Sequence, residues 1–373
     1  MITPLNKKLT HRQDDPCYEV GGQKFFSRYG AMKRAQEMCV TPDPDEIWGH
    51  AQFVVSDQHK GPEPEKSLRE LYKERAKQIR QTNQYVRVWA SGGTDSTHML
   101  NAFKEAGVRP DEVATYKQYP GIIDVSQNIE VNTGIREILQ QARKWWPDVK
   151  FTTWDILPEH YYSYTHEHLE HWSTFTELEP FACNWQVVYE IYPELLEHDL
   201  SVQTANLWGG PSLVIGKDEH GWYYRHNDRE YNDQLNAPFQ TFFFCDGDSK
   251  DLTLKILHTM KKAIPYSNDE QFENYDLWFN DAEMLEFWTT GPEYFRSKAR
   301  KGVPSDGGIT GCTAKALLRF NNAVSSTMGH KTLMAIHAKY NEMQIKNPHW
   351  FKDNHILNDW RGMLSPKCYF EKP

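Results

Sequence analysis

Val86-Arg87-Val88-Trp89-Ala90-Ser91-Gly92-Gly93-Thr94-Asp95-Ser96-Thr97 is the stretch from which the fold can be read. Val86 to Ala90 is mostly β-favouring, and Ser-Gly-Gly-x-Asp-Ser follows it directly. That motif opens an amphipathic segment, His98 to Gly107, with Met99, Leu100, Phe103 and Ala106 on one side. The order is strand, glycine turn, helix. Gly92 and Gly93 free the backbone to take positive φ and let a ligand approach the main chain. The unpaired N–H groups of the first helical turn and the helix dipole favour an anion at the same place. A phosphate group is the expected ligand. The alternative is an ordinary strand-to-helix turn capped by Thr94, Asp95 or Ser96. At roughly 7% usage per residue, five specified residues recur by chance in such a chain less than about once in a thousand, which favours the phosphate site.

No Gly-x-x-x-x-Gly-Lys-Ser/Thr occurs, and no Gly-x-Gly-x-x-Gly follows a strand. Ser91 to Ser96 instead resembles the pyrophosphate-binding loop of the N-type ATP pyrophosphatases, the PP-loop superfamily, whose members include asparagine synthetases and deazaguanine nitrile synthases. The resemblance implies an α/β fold: a parallel-sheet adenine nucleotide alpha hydrolase-like (HUP) domain, with a small N-terminal α+β region and a mainly helical C-terminal region. It also implies cleavage of ATP between the α and β phosphates, with Mg²⁺ as cofactor. Ser91, Gly92, Gly93, Thr94, Asp95, Ser96 and Thr97 would cradle the phosphates, and Asp95 would act catalytically through the metal. Adenine would lie against the main chain from Ala114 to Lys117, including Tyr116. Gly209 and Gly210 stand where members of the superfamily carry a second glycine-containing loop, here without an acidic neighbour. Glu130 occupies the position of an acidic residue near the nucleotide or its metal.

With 373 residues the chain can bury at least one full core. It lacks an apolar run near twenty residues, and Met1-Ile2-Thr3-Pro4-Leu5-Asn6-Lys7-Lys8 is not apolar enough for a signal peptide. A soluble protein of the cytoplasm, or of a host cytoplasm if viral, is expected. Six cysteines stand singly, with no Cys-x-x-Cys pair, which argues against a zinc ribbon, an iron–sulfur cluster or a disulfide scaffold. A formal charge of −9 disfavours broad nucleic-acid binding but leaves room for a local basic patch.

Three regions are expected: an N-terminal α+β region over 1–82, an ATP-binding domain over 83–245 and a helical region completing the substrate pocket over 246–373. Gly21-Gly22 marks a hairpin-like turn and Ser27 can cap a helix with Ala31, Met32, Ala35 and Met38 on one side. Ile47 to Val55 reads as a strand, and Ser67 to Thr82 as a charged helix with Leu68, Leu71, Ala76 and Ile79 apolar. Val113 to Tyr116, Val149 to Ile156 and Leu200 to Thr204 read as further central strands, with a helix over Val125 to Trp146 between the first two. Leu213 to Lys217 and Gly221 to Arg225 form a hairpin, and Phe239 to Phe244 an aromatic strand or core segment. Asp248 or Ser249 caps a helix over Leu252 to Ala263.

His160, His166, His168 and His171 lie among acidic residues without a known metal motif, and a polar, partly exposed helix accounts for them. Arg296 to Gly308 combines four cations with glycines. It reads as a solvated basic loop, as a cover over leaving pyrophosphate or as a contact for an anionic macromolecule. Lys217, Lys298 and Lys301 are the candidate phosphate-contacting lysines.

The expected activity is that of an AMP-forming, adenylating ligase. An acceptor's carboxylate or carbonyl oxygen attacks the α-phosphorus and expels pyrophosphate, and an amine or ammonia then displaces AMP. The acceptor is an unidentified small molecule, nucleotide or nucleic acid, and no membrane partner is expected. Ile2 stands where a glutamine-dependent asparagine synthetase has its cysteine nucleophile, so no N-terminal glutaminase is expected. Two other readings stay open: sulfur transfer or sulfonucleotide reduction, which generally needs a reactive cysteine, and a non-catalytic ATP-binding protein. The run Ser67 to Ala76 and the Phe-rich piece before Asp246 resemble an uncharacterised PP-loop group encoded by large tailed phages.

Overall fold

A computed structural model of the chain describes residues 16–25, 28–40, 49–55, 59–91, 94–118, 136–156, 188–189, 191–209, 213–226, 240–245, 247–263 and 365–371, with isolated positions 334, 338 and 345. The elements and counts that follow are those of the described residues. The strands are β1 (Cys17–Val20), β2 (Gln23–Phe25), β3 (Ala51–Val54), β4 (Val86–Trp89), β5 (Glu112–Gln118), β6 (Lys150–Ile156), β7 (Ala205–Trp208), β8 (Leu213–Asp218), β9 (Gly221–His226), β10 (Gln240–Phe242) and β11 (Cys368–Tyr369). The helices are α1 (Arg28–Met38), α2 (Leu68–Thr82), α3 (Thr94–Glu105), α4 (Arg136–Trp145), α5 (Pro193–Val202) and α6 (Lys250–Ala263).

The centre is a five-stranded, wholly parallel sheet in the order β10-β7-β4-β5-β6. This is the expected α/β architecture. From β4 the chain steps outward through β5 to β6, then returns to pair β7 on the other side of β4. The order therefore reverses between β4 and β7, and in such sheets ligands bind in the crevice outside the strand ends at the reversal. Two three-stranded antiparallel sheets accompany it, β2-β1-β3 and β11-β9-β8.

One face of the central sheet is apolar. Val86, Val88, Val113, Ala205 and Leu207 share a single buried core with Leu68, Leu71, Ala76 and Ile79 of α2, Met99, Leu100 and Phe103 of α3, Ile138, Leu139 and Ala142 of α4, and Leu252, Ile256, Leu257 and Met260 of α6. Most of these helical positions recur at the three-to-four residue spacing that puts them on one side of a helix. Helix α2 is fixed at its start by a capping box. Ser67 Oγ accepts from the Glu70 N–H, while the Glu70 carboxylate accepts from the Ser67 N–H at 2.9 Å. Farther along α2, the buried guanidinium of Arg75 donates to the carbonyls of Phe242 and Phe243 and pairs with Asp248, anchoring the chain where β10 ends. Asp248 is thus committed to Arg75, and Ser249 is the residue directly before α6.

One sequence reading changes. Leu200 to Thr204 is not a strand: residues 200–202 are the last turn of α5, and the fourth central strand in chain order is β7, immediately after. Pro193 at the first turn favours a helix there, Leu195 and Asp199 at i and i+4 form its buried side, and Gln203 caps it in the left-handed conformation (φ 51°). Near the chain end, residues 365–371 return to pair β9 through β11, and Cys368 and Phe370 enter the main core. His226 of β9, fully buried beside that segment, has its pKa pushed down to about 3 by burial and by His59.

Candidate active site

The residues that flank the glycine pair lie where the sheet order reverses. Strand β4 ends at Trp89, Ala90 donates its N–H to the Ala114 carbonyl at 2.8 Å, and α3 begins at Thr94 with Asp95 in its first turn. Ser91 and Ser96, the two hydroxyls flanking the glycines, come within 3.4 Å of each other; Ser91 is exposed and Ser96 buried. The end of β4 is thus held close to the first turn of a twelve-residue helix, whose N-terminus favours negative charge.

Across the crevice, β7 delivers Gly209 against the same helix. A Cβ placed on Gly209 would lie 2.5 Å from the Asp95 Cβ, so no side chain fits between them. The hydrogen at this position lets the second glycine strand-end come into contact with the first turn of α3. Of the expected site residues, Ser91, Asp95, Ser96 and Gly209 are thus brought together. Thr97, half-buried, and Thr94 lie in the same helical turn, and Ala114 is buried beside Ala90. Tyr116 continues β5 and Lys217 lies on β8, in the small sheet. Gly92, Gly93, Gly210, Glu130, Lys298, Lys301 and the histidines at 160–171 lie outside the described residues.

Asp95 is the carboxylate at this mouth. Mg²⁺ that travels with a triphosphate commonly takes only one or two protein carboxylates beside the phosphates and water. A half-buried Asp95 in the first turn of α3 fits that demand. Among the described residues no group of three His, Cys, Asp or Glu side chains could hold a metal on its own. The described cysteines Cys17, Cys39, Cys245 and Cys368 are all free thiols.

The second face of the sheet carries what the sequence reading missed. Arg87, fully buried, donates Nε to Glu112 at 2.9 Å and Nη1 to both oxygens of Asp199 at 2.6 and 2.8 Å. Asn206 of β7 accepts from Arg87 and, at 2.9 Å, from the Trp89 indole N–H, and donates to Asp199. Tyr189 adds a hydroxyl donated to Asp199. The outcome is a polar plug between β4, β7 and α5, beneath the strand ends. Burial would lower the Arg87 pKa, but Asp199 and Glu112 outweigh it and raise it. Burial likewise pushes Glu112 up, and Arg87, Thr152 and Lys150 together hold it below the ordinary carboxylate value. One guanidinium faces two buried carboxylates, and the half-exposed Lys150 ammonium, 3.6 Å from Glu112, supplies the second positive charge. The signal was available: an arginine between two valines of an otherwise apolar strand, and an asparagine between Ala205 and Leu207.

Above the plug the last residues of β4 and β7, Trp89 and Trp208, stack with centroids 5.4 Å apart and planes 8° from parallel. Trp89 is 3% exposed. Trp208 is half-buried, and the next residue is the glycine that touches Asp95.

Neither the family models nor the curated proteins contain a match to this chain. Among solved structures it is similar to the NH3-dependent NAD synthetase from Campylobacter jejuni subsp. jejuni NCTC 11168 in complex with the nitrate ion. The identity is 12%, 65% of this chain and 99% of that chain are covered, and the TM-score is 0.29. At that score the likeness carries no argument about activity, which rests on the site. Among the described residues no helix is long and apolar enough to cross a membrane.

Proposed function

We propose that the chain is an ATP-dependent adenylating enzyme, cleaving ATP to AMP and pyrophosphate to activate an acceptor's carboxylate or carbonyl oxygen for attack by an amine or ammonia. The observation that carries this reading is the contact of Gly209 with Asp95 at the reversal point of the parallel sheet. It supports a pyrophosphate cradle built from two glycine strand-ends rather than a simple capped turn.

In this mechanism the first-turn amides of α3, with the Ser91 and Ser96 hydroxyls, bind the β and γ phosphates and favour the charge that develops on departing pyrophosphate. Asp95 would hold the Mg²⁺ of the nucleotide, which supplies charge neutralisation of the triphosphate. The α-phosphorus then faces the crevice between β4 and β7, where an acceptor oxygen can approach in line. Lys217, Lys298 and Lys301 are proposed phosphate contacts, Glu130 a proposed metal ligand, and Ala114 to Tyr116 with Gly210 a proposed wall for the nucleotide. No covalent enzyme nucleophile is required, in keeping with the buried state of Cys17, Cys245 and Cys368.

Product analysis tests the reading. With ATP, Mg²⁺ and a mixture of carboxylate and amine acceptors, AMP and pyrophosphate should form, and Asp95→Ala should abolish them with the circular dichroism spectrum unchanged. Gly209→Ala should do the same by pushing on α3. ADP as the product would overturn the proposal.

A further inference from the structure

We propose, on the reading of the loop as a triphosphate site, that Arg75 is a positioning residue for that site: by ending β10 at the level of Trp208 it sets where Gly209 meets Asp95. The last bonds between β10 and β7 show how. Phe242 stands opposite Trp208, and Phe243 donates its N–H to the Trp208 carbonyl at 2.8 Å. Gly209 is the next residue of the β7 chain, beyond the ladder and against Asp95.

Arg75 is what turns β10 away at this point. Its Nη2 donates to the Phe242 carbonyl at 2.6 Å and its Nε to the Phe243 carbonyl at 3.2 Å. Successive carbonyls of an extended strand point to opposite sides, so one guanidinium can take both only where the backbone has left the extended form. Two residues on, buried Cys245 is left-handed at φ 54°, a conformation that side-chain-bearing residues seldom adopt. Arg75 Nη1 then holds Asp248 at 2.5 Å, and Gln78 of the same helix donates to the Asp248 carbonyl at 2.9 Å. Tyr72, one turn earlier on α2, packs its ring on Phe243, Phe244 and His98, with centroids 6.1, 5.5 and 6.3 Å away. His98 is three residues after Asp95, on the same side of α3. One side of α2 therefore holds both the end of β10, which borders Trp208 and Gly209, and the opening turns of α3, which carry Asp95. Residue 75 must serve two carbonyls and a carboxylate from one planar fork, which lysine cannot do.

The test uses the full chain with Mg²⁺ and α,β-methylene-ATP, which cannot be cleaved between the α and β phosphates. Arg75→Lys keeps a positive charge beside Asp248 and loses the fork. It should weaken calorimetric binding of the nucleotide about tenfold, the scale of one charge-assisted hydrogen bond to phosphate. Arg75→Ala should lose at least as much, and millimolar methylguanidinium, which can refill the fork, should restore most of it. Ile79→Ala, also buried on α2, is the control for structural damage alone: it should lower stability and leave affinity unchanged. In the unliganded protein the Gly209 and Phe243 amide resonances should move in Arg75→Lys and stay in place in Ile79→Ala. Equal affinity in wild type and Arg75→Lys, unmoved amide resonances, or an equal loss of affinity in Ile79→Ala would each overturn the inference. The triphosphate reading falls separately, if wild-type protein binds no α,β-methylene-ATP, and the amide resonances then judge the role of Arg75 without the nucleotide.

Discussion

Strand β4 presents two different chemistries on its two sides. Val86 and Val88 point into an apolar core shared with α2, α3, α4 and α6, whereas Arg87 and Trp89 point into a charged and aromatic layer under α5. The first face is built from contacts that any similar-sized apolar residue could make, and it tolerates exchange at modest cost. The second is built from directional bonds that each need a particular partner, and a missing partner leaves a buried charge. The apolar face therefore accounts for folding, while the polar face sets how β4 and β7 stand relative to each other where the crevice opens.

Removing the centre of the polar face should have the largest effect. Arg87→Met leaves Glu112 and Asp199 buried without their guanidinium, at a cost of about 3–5 kcal/mol. In the wild type Glu112 titrates below its ordinary value of 4.5, so its contribution is present above that pH and fades as pH falls through the lower folded value. In the variant burial prevails and raises the Glu112 pKa. The deficit should then be greatest at neutral pH and shrink as the solution is acidified and the carboxylate protonates. Urea unfolding from pH 7 to pH 4 measures both. A deficit independent of pH would mean that the charges do not organise this face.

Leu100→Ala on the opposite face is the matched probe. Its side chain is fully buried against the core, and truncation should cost about 2–5 kcal/mol. Nothing titratable is exposed by the change, so this deficit should stay constant over the same pH range. Binding of α,β-methylene-ATP should also be unchanged wherever the protein remains folded.

The apolar face was the legible one. Met99, Leu100 and Phe103, and likewise Leu68, Leu71, Ala76 and Ile79, show their side of the helix by spacing alone, and the glycine motif announces its own turn. The polar face joins Arg87 to Asp199 and Asn206, both more than a hundred residues away from it, and no local period connects an arginine on β4 with an aspartate on α5. The same cause displaced the strand at residues 200–204. Val202 and its neighbours favour a strand locally, but Asp199 must reach Arg87 from one helical face, and that pairing exists only in three dimensions. Gly209 was visible as a glycine, and its contact with Asp95 was not.

Asn206→Ala should come next in size. It removes the acceptor of the Trp89 N–H and one donor to Asp199, and unsatisfied buried groups of this kind cost about 1–3 kcal/mol. Unlike Leu100→Ala, it should weaken binding of α,β-methylene-ATP as well, because Asn206 lies on the strand that carries Gly209 to Asp95. Calorimetric titration beside urea unfolding separates the two effects. Unchanged affinity in a destabilised Asn206→Ala protein would remove the distinction between the faces.

The smallest change is the one that tests the division most cleanly. Ser67 caps α2 from outside the core, with its hydroxyl and N–H both tied to Glu70, and the cap belongs to the apolar side of the molecule. Ser67→Ala should lower stability by about 1 kcal/mol, comparable to the lower end of the Asn206 effect. Affinity for α,β-methylene-ATP should be the same as in the wild type, since α2 packs on α3 through its apolar side and anchors β10 through Arg75, and the cap takes part in neither. Two variants of similar stability, one with altered binding and one without, would separate the roles of the two faces. If Ser67→Ala weakens the nucleotide as much as Asn206→Ala does, stability alone governs the site, and the polar network has no share in positioning it.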